Sequence, residues 1–336
     1  MLVLIGCTLF SHGQPGVGLT NYRLPLEKKG VKVAAPFHLA ITDPVLSIVE
    51  DTSGMFRIKG NALWLKKNKK IHRSTAAMVY TLKLTIVDRP LEVDLVVDRF
   101  LTNKVIAHRG AWKNNNVSQN SLGSLQKAID LGCEGSEFDV WVSADGVAIL
   151  SHDASIGGYE IENTPVSQLV KVPLKNNEFL PTLEEFLLLG KKQNRTNLVL
   201  EIKTSTKGVP AMLAAVDTIV ETVSRLKMQG WVKYISFNHG ALVHLRKSQP
   251  FADLSYLSGD KSVDLIRKDG LNGIDYHHQV FDKDAQLVTN AHALGLTVNV
   301  WTVNAADKLK HFLERGVDMI TTDEPELLLK IIADLK

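Results

Sequence analysis

After Leu101 the chain alternates short apolar strands with amphipathic helices, and this alternation limits the possible folds more than any other feature. Strands are expected at 105–107, 136–140, 198–202, 234–237, 254–257, 273–276, 297–301 and 319–322. Helical periodicity follows most of them, as at 211–227, 283–294 and 305–315. Eight strands with intervening helices fit a closed parallel (β/α)8 barrel better than an open doubly wound sheet. Residues 147–150 and the segment to Pro173 make a poor strand–helix unit, and are expected as an insertion after the second strand.

A barrel of roughly 250 residues leaves room for one small partner in a 336-residue chain. Before Leu101 the pattern changes to period two: Phe56, Ile58, Leu63 and Leu65, then Tyr80, Leu82, Leu84 and Ile86, then Val93, Leu95 and Val97. Asp51-Thr-Ser-Gly54, Lys59-Gly-Asn61 and Asp88-Arg-Pro90 supply turns. The expected organisation is a signal-like segment at 1–19, a small β-sandwich at 20–100 and the barrel at 101–336. Net charge is only +3, and the densest basic run, Lys66, Lys67, Lys69 and Lys70, reads as a solvated hairpin, so nucleic acid is not an expected partner. Two cysteines, Cys7 and Cys133, exclude a disulfide framework. No apolar run reaches the ~18 to 20 residues of a membrane span.

Barrel enzymes carry their chemistry at the C-terminal strand ends. Here those ends offer His108-Arg109-Gly110, then Glu137 and Asp139, then Glu201 and Lys203, each pair at i, i+2 and so on one strand face. Ser236-Phe237-Asn238, Trp301-Thr302-Val303-Asn304 and Asp323 follow, and a hairpin beyond the second strand ends in His152-Asp153. So many ionisable groups at one mouth must pair or hold a metal. Three oxygen ligands, Glu137, Asp139 and Glu201, suit one hard divalent cation such as Mg²⁺ or Ca²⁺ rather than zinc. Arg109 and Lys203 can neutralise phosphoryl oxygens, and two imidazoles can divide proton transfer. That set answers the needs of phosphodiester cleavage.

The ordered series Ile106-Ala-His108-Arg-Gly110, Ser118-Gln-Asn-Ser121, Gly135-Ser-Glu137-Phe-Asp139-Val140, Asp145-Gly146 and Ser151-His152-Asp153 resembles the glycerophosphodiester phosphodiesterase signature. It continues through Pro181-Thr-Leu-Glu-Glu185, Leu200-Glu-Ile-Lys203, Ile235-Ser-Phe237, Val300-Trp-Thr-Val-Asn304 and Thr321-Thr-Asp-Glu-Pro325. The resemblance covers about Lys104 to the C-terminus. It implies a barrel with an insertion after strand two, and a divalent cation on Glu137, Asp139 and Glu201. It also implies an acid/base pair at His108 and His152, phosphate binding by Arg109 and Lys203, and Trp301 lining the substrate pocket. The implied substrate is a small glycerophosphodiester, cleaved to glycerol 3-phosphate and an alcohol. Gln119 departs from the family pattern, which usually has an acidic residue there, and Ser118 stands where proline is common. The lost charge bears on the metal site or on the orientation of His108. The run from Gly54 through Leu65 to Tyr80 looks like a cadherin-like module.

Near the N-terminus, Met1 to Phe10 resembles the apolar core of a secretory signal, and Leu4-Ile5-Gly6-Cys7 a bacterial lipoprotein box. Export is the expectation, with membrane contact only through such a lipid anchor. Among the remaining polar residues, Asn120 is expected to cap a helix, and Asp323 to close the barrel or cap the next helix. His277 can reach the mouth; His239, His244, His278, His292 and His311 show no metal-ligand spacing and are expected at the surface. Cys133 reads as inert packing. Two rival readings are a related barrel phosphodiesterase acting on phospholipid, and a degenerate barrel that binds a phosphorylated ligand. Oligomeric state is not legible.

Overall fold

The computed structural model describes residues 16–335. The apolar stretch from Met1 to Phe10, with the Leu4-Ile5-Gly6-Cys7 box, lies outside them. The described chain divides into two compact units. One comprises the residues through Asp98 together with Val223–Gly230, and the other the rest.

In the first unit, strands Arg23–Leu24, Arg89–Val97, Val79–Ile86 and Leu46–Glu50 form one sheet in that order, and Lys32–Ala34, Ala62–Leu65 and Phe56–Lys59 form another. The period-two apolar residues of both sheets share one core: Leu82, Leu84, Ile86, Val93 and Leu95 pack in the same buried cluster as Phe56, Leu63 and Leu65. Val17–Leu19, inside the span read as signal-like, is a strand paired with Pro36–His38, and its Leu19 is fully buried. The long hairpin turns one residue earlier than expected. Val87 and Asp88, at φ 48° and 61°, make the turn, while Arg89 and Pro90 already pair with Ile86 and Thr85. Two left-handed residues match the twist of the flanking strands, which a turn through Pro90 cannot do.

The second unit is the barrel. Its strands are β1 (Val105–Ala107), β2 (Gly135–Val142), β3 (Asn197–Ile202), β4 (Val232–Ser236), β5 (Asp253–Tyr256), β6 (Gly273–His277), β7 (Thr297–Trp301) and β8 (Met319–Thr322). Each pairs in parallel with the next, and β1 pairs with both β2 and β8, so the sheet closes. Ile106, Val199, Ile235 and Leu257 form a buried apolar layer inside it, with Trp301 and Met319 packed against them. No helix among the described residues is long and apolar enough to cross a membrane.

After β2 the strand Ala148–Leu150 folds back antiparallel onto it, and the segment to Leu180 builds its own small core from Trp141, Ile149, Ile161, Leu169, Val172 and Leu180. The expected helix over 283–294 is instead two, His278–Lys283 and Leu287–Ala293. Between them Asp284 is extended, and its side chain accepts from the Gln286 amide, a local bond that competes with the helix. Helix α1 (Leu122–Leu131) is capped by Ser121, whose hydroxyl accepts from the Ser124 amide. Asn120 is therefore not the cap.

Candidate active site

The chain reverses sharply after β1. Arg109 and Gly110 both have positive φ, 57° and 79°, and a Cβ on Gly110 would lie 2.6 Å from the Ser124 backbone. Only glycine fits there. The turn aims the Arg109 amide at Glu137, whose Oε2 accepts from it at 2.8 Å.

Glu137 and Asp139 project from one face of β2, and Glu201 from the adjacent β3, where Asp139 and Glu201 are register partners. All three are buried, and each offers an oxygen within 4.8 Å of the others. Lys203 Nζ lies 3.2 Å from Asp139 Oδ1 and 2.8 Å from Glu201 Oε1. Arg109 Nε is 3.7 Å from Asp139 Oδ2. Burial, then the charges of Asp139 and Glu201, push the Glu137 carboxyl well above its ordinary range. Burial and Asp139 likewise raise Glu201 to about 8. Asp139 behaves oppositely. Burial opposes its ionisation, but Lys203, Asn120 and Arg109 together hold it below the usual carboxylate range. Two cations therefore do not neutralise three crowded carboxylates. An all-oxygen, electron-rich cluster short of positive charge is what a hard divalent cation fits.

His108 follows β1 and pairs through Nδ1 with Asp323 Oδ1 at 2.7 Å. Asn304 Nδ2 donates to the other Asp323 oxygen at 2.8 Å. Burial raises the Asp323 carboxyl, but His108 and Asn304 outweigh it and keep it low, hence ionised. His152, past the hairpin, pairs through Nδ1 with Asp153 Oδ1 at 2.8 Å in a more open setting. A cavity of about 200 Å³ at the strand ends is lined by His108, Arg109, Glu137, His152 and Glu201 on one side. Ile235, Phe237, Leu257, Asp275, Trp301, Thr302 and Thr321 complete it. Trp301 is fixed by a 2.8 Å bond from Nε1 to the Asp275 carbonyl, and meets Phe237 and His277 edge to face.

The expected site residues thus converge, although Asp139, Lys203 and Gln119 do not line the cavity itself. Gln119 Oε1 accepts from Arg109 Nη1 at 2.8 Å and belongs to no carboxylate cluster. Two residues carry more than expected. Asn120, at φ 53°, donates to Asp139 Oδ2 and accepts from the Asp139 amide, holding that residue by both its side chain and its backbone. Asp323 holds His108 rather than capping a helix. Its position directly after β8, at the same mouth as His108, was the available signal. His239, His244, His278 and His292 each face an aspartate elsewhere: Asp269, Asp217, Asp282 and Asp318. Cys133 is buried with no disulfide, its thiol pushed up to about 12 by burial.

Comparison with known proteins points to one family. The model of the glycerophosphoryl diester phosphodiesterase family matches residues 108–327. A crystal structure of a glycerophosphodiester phosphodiesterase from Parabacteroides distasonis is 38% identical, with a TM-score of 0.67, and covers 71% of this chain and 98% of its own. A glycerophosphodiester phosphodiesterase of Caldanaerobacter subterraneus subsp. tengcongensis is 26% identical over 245 residues, 68% of this chain and 97% of that protein. An Oleispira antarctica phosphodiesterase, solved with the product sn-glycerol 3-phosphate, shares the fold at 24% identity and a TM-score of 0.60, over 69% of this chain and 96% of its own. This chain belongs to the glycerophosphoryl diester phosphodiesterase family.

Proposed function

We propose that the chain hydrolyses glycerophosphodiesters to glycerol 3-phosphate and an alcohol. The observation that carries this reading is the meeting of three buried carboxylates and two carboxylate-backed imidazoles around one cavity at the strand ends. Glu137, Asp139 and Glu201 would hold one divalent cation, Mg²⁺ or Ca²⁺, which when bound would polarise a phosphoryl oxygen. Arg109 and Lys203 bind the phosphate through charge-assisted hydrogen bonds; Arg109 Nε is buried without a hydrogen-bond partner and has a donor to spare. A carboxylate only accepts, so the Asp323 and Asp153 bonds place a proton on Nδ1 of each histidine and leave Nε2 to exchange one. One imidazole accepts the proton of the attacking hydroxyl, and the other gives one to the leaving alkoxide. The attacker is a glycerol hydroxyl, giving a cyclic diester that water opens, or water itself; both routes use the same pair. The insertion spends most of its apolar side chains on its own core, with Phe179 and Tyr159 as its exposed large ones, which favours a water-soluble diester over a phospholipid.

Release of glycerol 3-phosphate from glycerophosphocholine, measured with and without a chelator, tests the reading. Activity that survives complete metal removal contradicts the carboxylate assignment, and normal turnover by His108→Ala or His152→Ala contradicts the acid/base assignment. We further propose that the apolar stretch Met1 to Phe10 directs export, and that 20–100 form a cadherin-like accessory domain, a likeness supported by two small sheets around one core. Finding the protein wholly in the cytoplasmic fraction of its native cell overturns the first. An experimental structure with a sheet order foreign to cadherins overturns the second.

A further inference from the structure

The cavity has two unlike walls. One carries the ionisable groups just described. The other is mostly Ile235, Phe237, Leu257 and Trp301, yet it includes Asp275, a carboxyl in the interior of β6 that is 2% exposed. Among the described residues no cation pairs with it; the one side chain acting on it is Asn299. Asn299 Nδ2 donates to Asp275 Oδ1 at 2.8 Å and to Thr321 Oγ1 at 2.7 Å, tying three strands together inside the barrel. Asn299 Oδ1 is buried with no partner. A buried carboxyl lacking both metal and cation costs stability, and an apolar side chain of similar volume would avoid that cost. Its retention on a cavity wall calls for a ligand with which it can bond.

Burial pushes the Asp275 carboxyl up to about 7, so near neutral pH it offers both a donor and an acceptor. An alcohol hydroxyl also donates and accepts. The cavity is shut beneath by the apolar layer of Ile106, Val199, Ile235 and Leu257, and therefore takes a short arm rather than a head group of variable size. The hydroxyl next to the phosphate ester is the one an intramolecular attack would consume, which leaves the terminal hydroxyl to be recognised. We propose that Asp275 is a specificity-determining residue that binds the terminal hydroxyl of the glycerol arm, with Asn299 holding its carboxyl in place. This rests on the hydrolytic reading above.

The test compares three diesters on wild type, Asp275→Asn and Asp275→Val. They are glycerophosphocholine, the choline phosphodiester of 1,2-propanediol, which lacks the terminal hydroxyl, and bis(4-nitrophenyl) phosphate. Wild type is expected to prefer glycerophosphocholine over the propanediol diester by about tenfold in kcat/KM, the effect of one buried hydrogen bond. Asp275→Val loses that preference through KM, with a larger loss on glycerophosphocholine than on the other two diesters; Asp275→Asn, which preserves shape and folding, retains part of it. Equal losses on all three diesters, or an undiminished preference in both variants, overturn the role of Asp275 while leaving hydrolysis intact. Wild type that cleaves only the nitrophenyl diester overturns both.

Discussion

Without divalent cations at pH 8, Glu201→Gln is expected to make the protein more stable although it removes a candidate metal ligand. Burial and the adjacent Asp139 charge move the Glu201 carboxyl from an ordinary 4.5 up to about 8. The unfolded chain gives up that proton near pH 4.5, whereas the folded chain keeps it until about pH 8. Stability from this group is therefore whole below pH 4.5, falls as pH rises through that window, and is lost above it. At ~1.4 kcal/mol per pKa unit, the ceiling is about 5 kcal/mol. Glu137 is raised first by burial and then by the charges of Asp139 and Glu201, so the two carboxylates share part of this cost rather than double it. Half the ceiling corresponds to a fall of roughly 5 to 10 °C in Tm for a unit of this size. Melting wild type and Glu201→Gln in chelator from pH 5 to pH 9 measures it. Wild type should lose stability across that range, the variant distinctly less, and saturating Mg²⁺ or Ca²⁺ should restore wild type alone. A flat wild-type profile, or an equal decline in the variant, refutes the idea of three carboxylates crowded beyond their cations.

Three more outcomes follow from the same geometry. Asp323→Asn should lower kcat between about ten- and a hundredfold, since it removes a charge-assisted bond to His108; Asp153→Asn should cost less, its side chain being 73% exposed against 18% for Asp323. Asn120→Ala should weaken cation binding by about 10- to 100-fold in calorimetric titration, because it frees the Asp139 carboxylate. Gly110→Ala should cost about 2 kcal/mol or more in urea unfolding, since its Cβ meets the Ser124 backbone at positive φ.

What the sequence discloses is whatever depends on local period. Glu137 and Asp139, or Glu201 and Lys203, share a face because strand side chains alternate, and this placed the carboxylates before any coordinates did. Contacts between distant strands carry no such signal. His108 and Asp323 are 215 positions apart and meet only because β1 and β8 close the barrel. Asn120 read as a cap because its residue type suits one, yet Ser121 takes that place and frees Asn120 for Asp139. Asp275 lies mid-strand among apolar residues, and only the barrel interior reveals that it looks into the cavity. The break at Asp284 and the turn at Val87-Asp88 were missed because a side-chain bond and two left-handed residues outweighed the apolar pattern.

Anomalous scattering from crystals soaked in Mn²⁺, a hard divalent stand-in, tests the account most directly. One peak bonded to oxygens of Glu137, Asp139 and Glu201, beside His108 and His152, is the predicted result. A fully active protein whose crystals hold no ion there, or hold it away from those carboxylates, would contradict it.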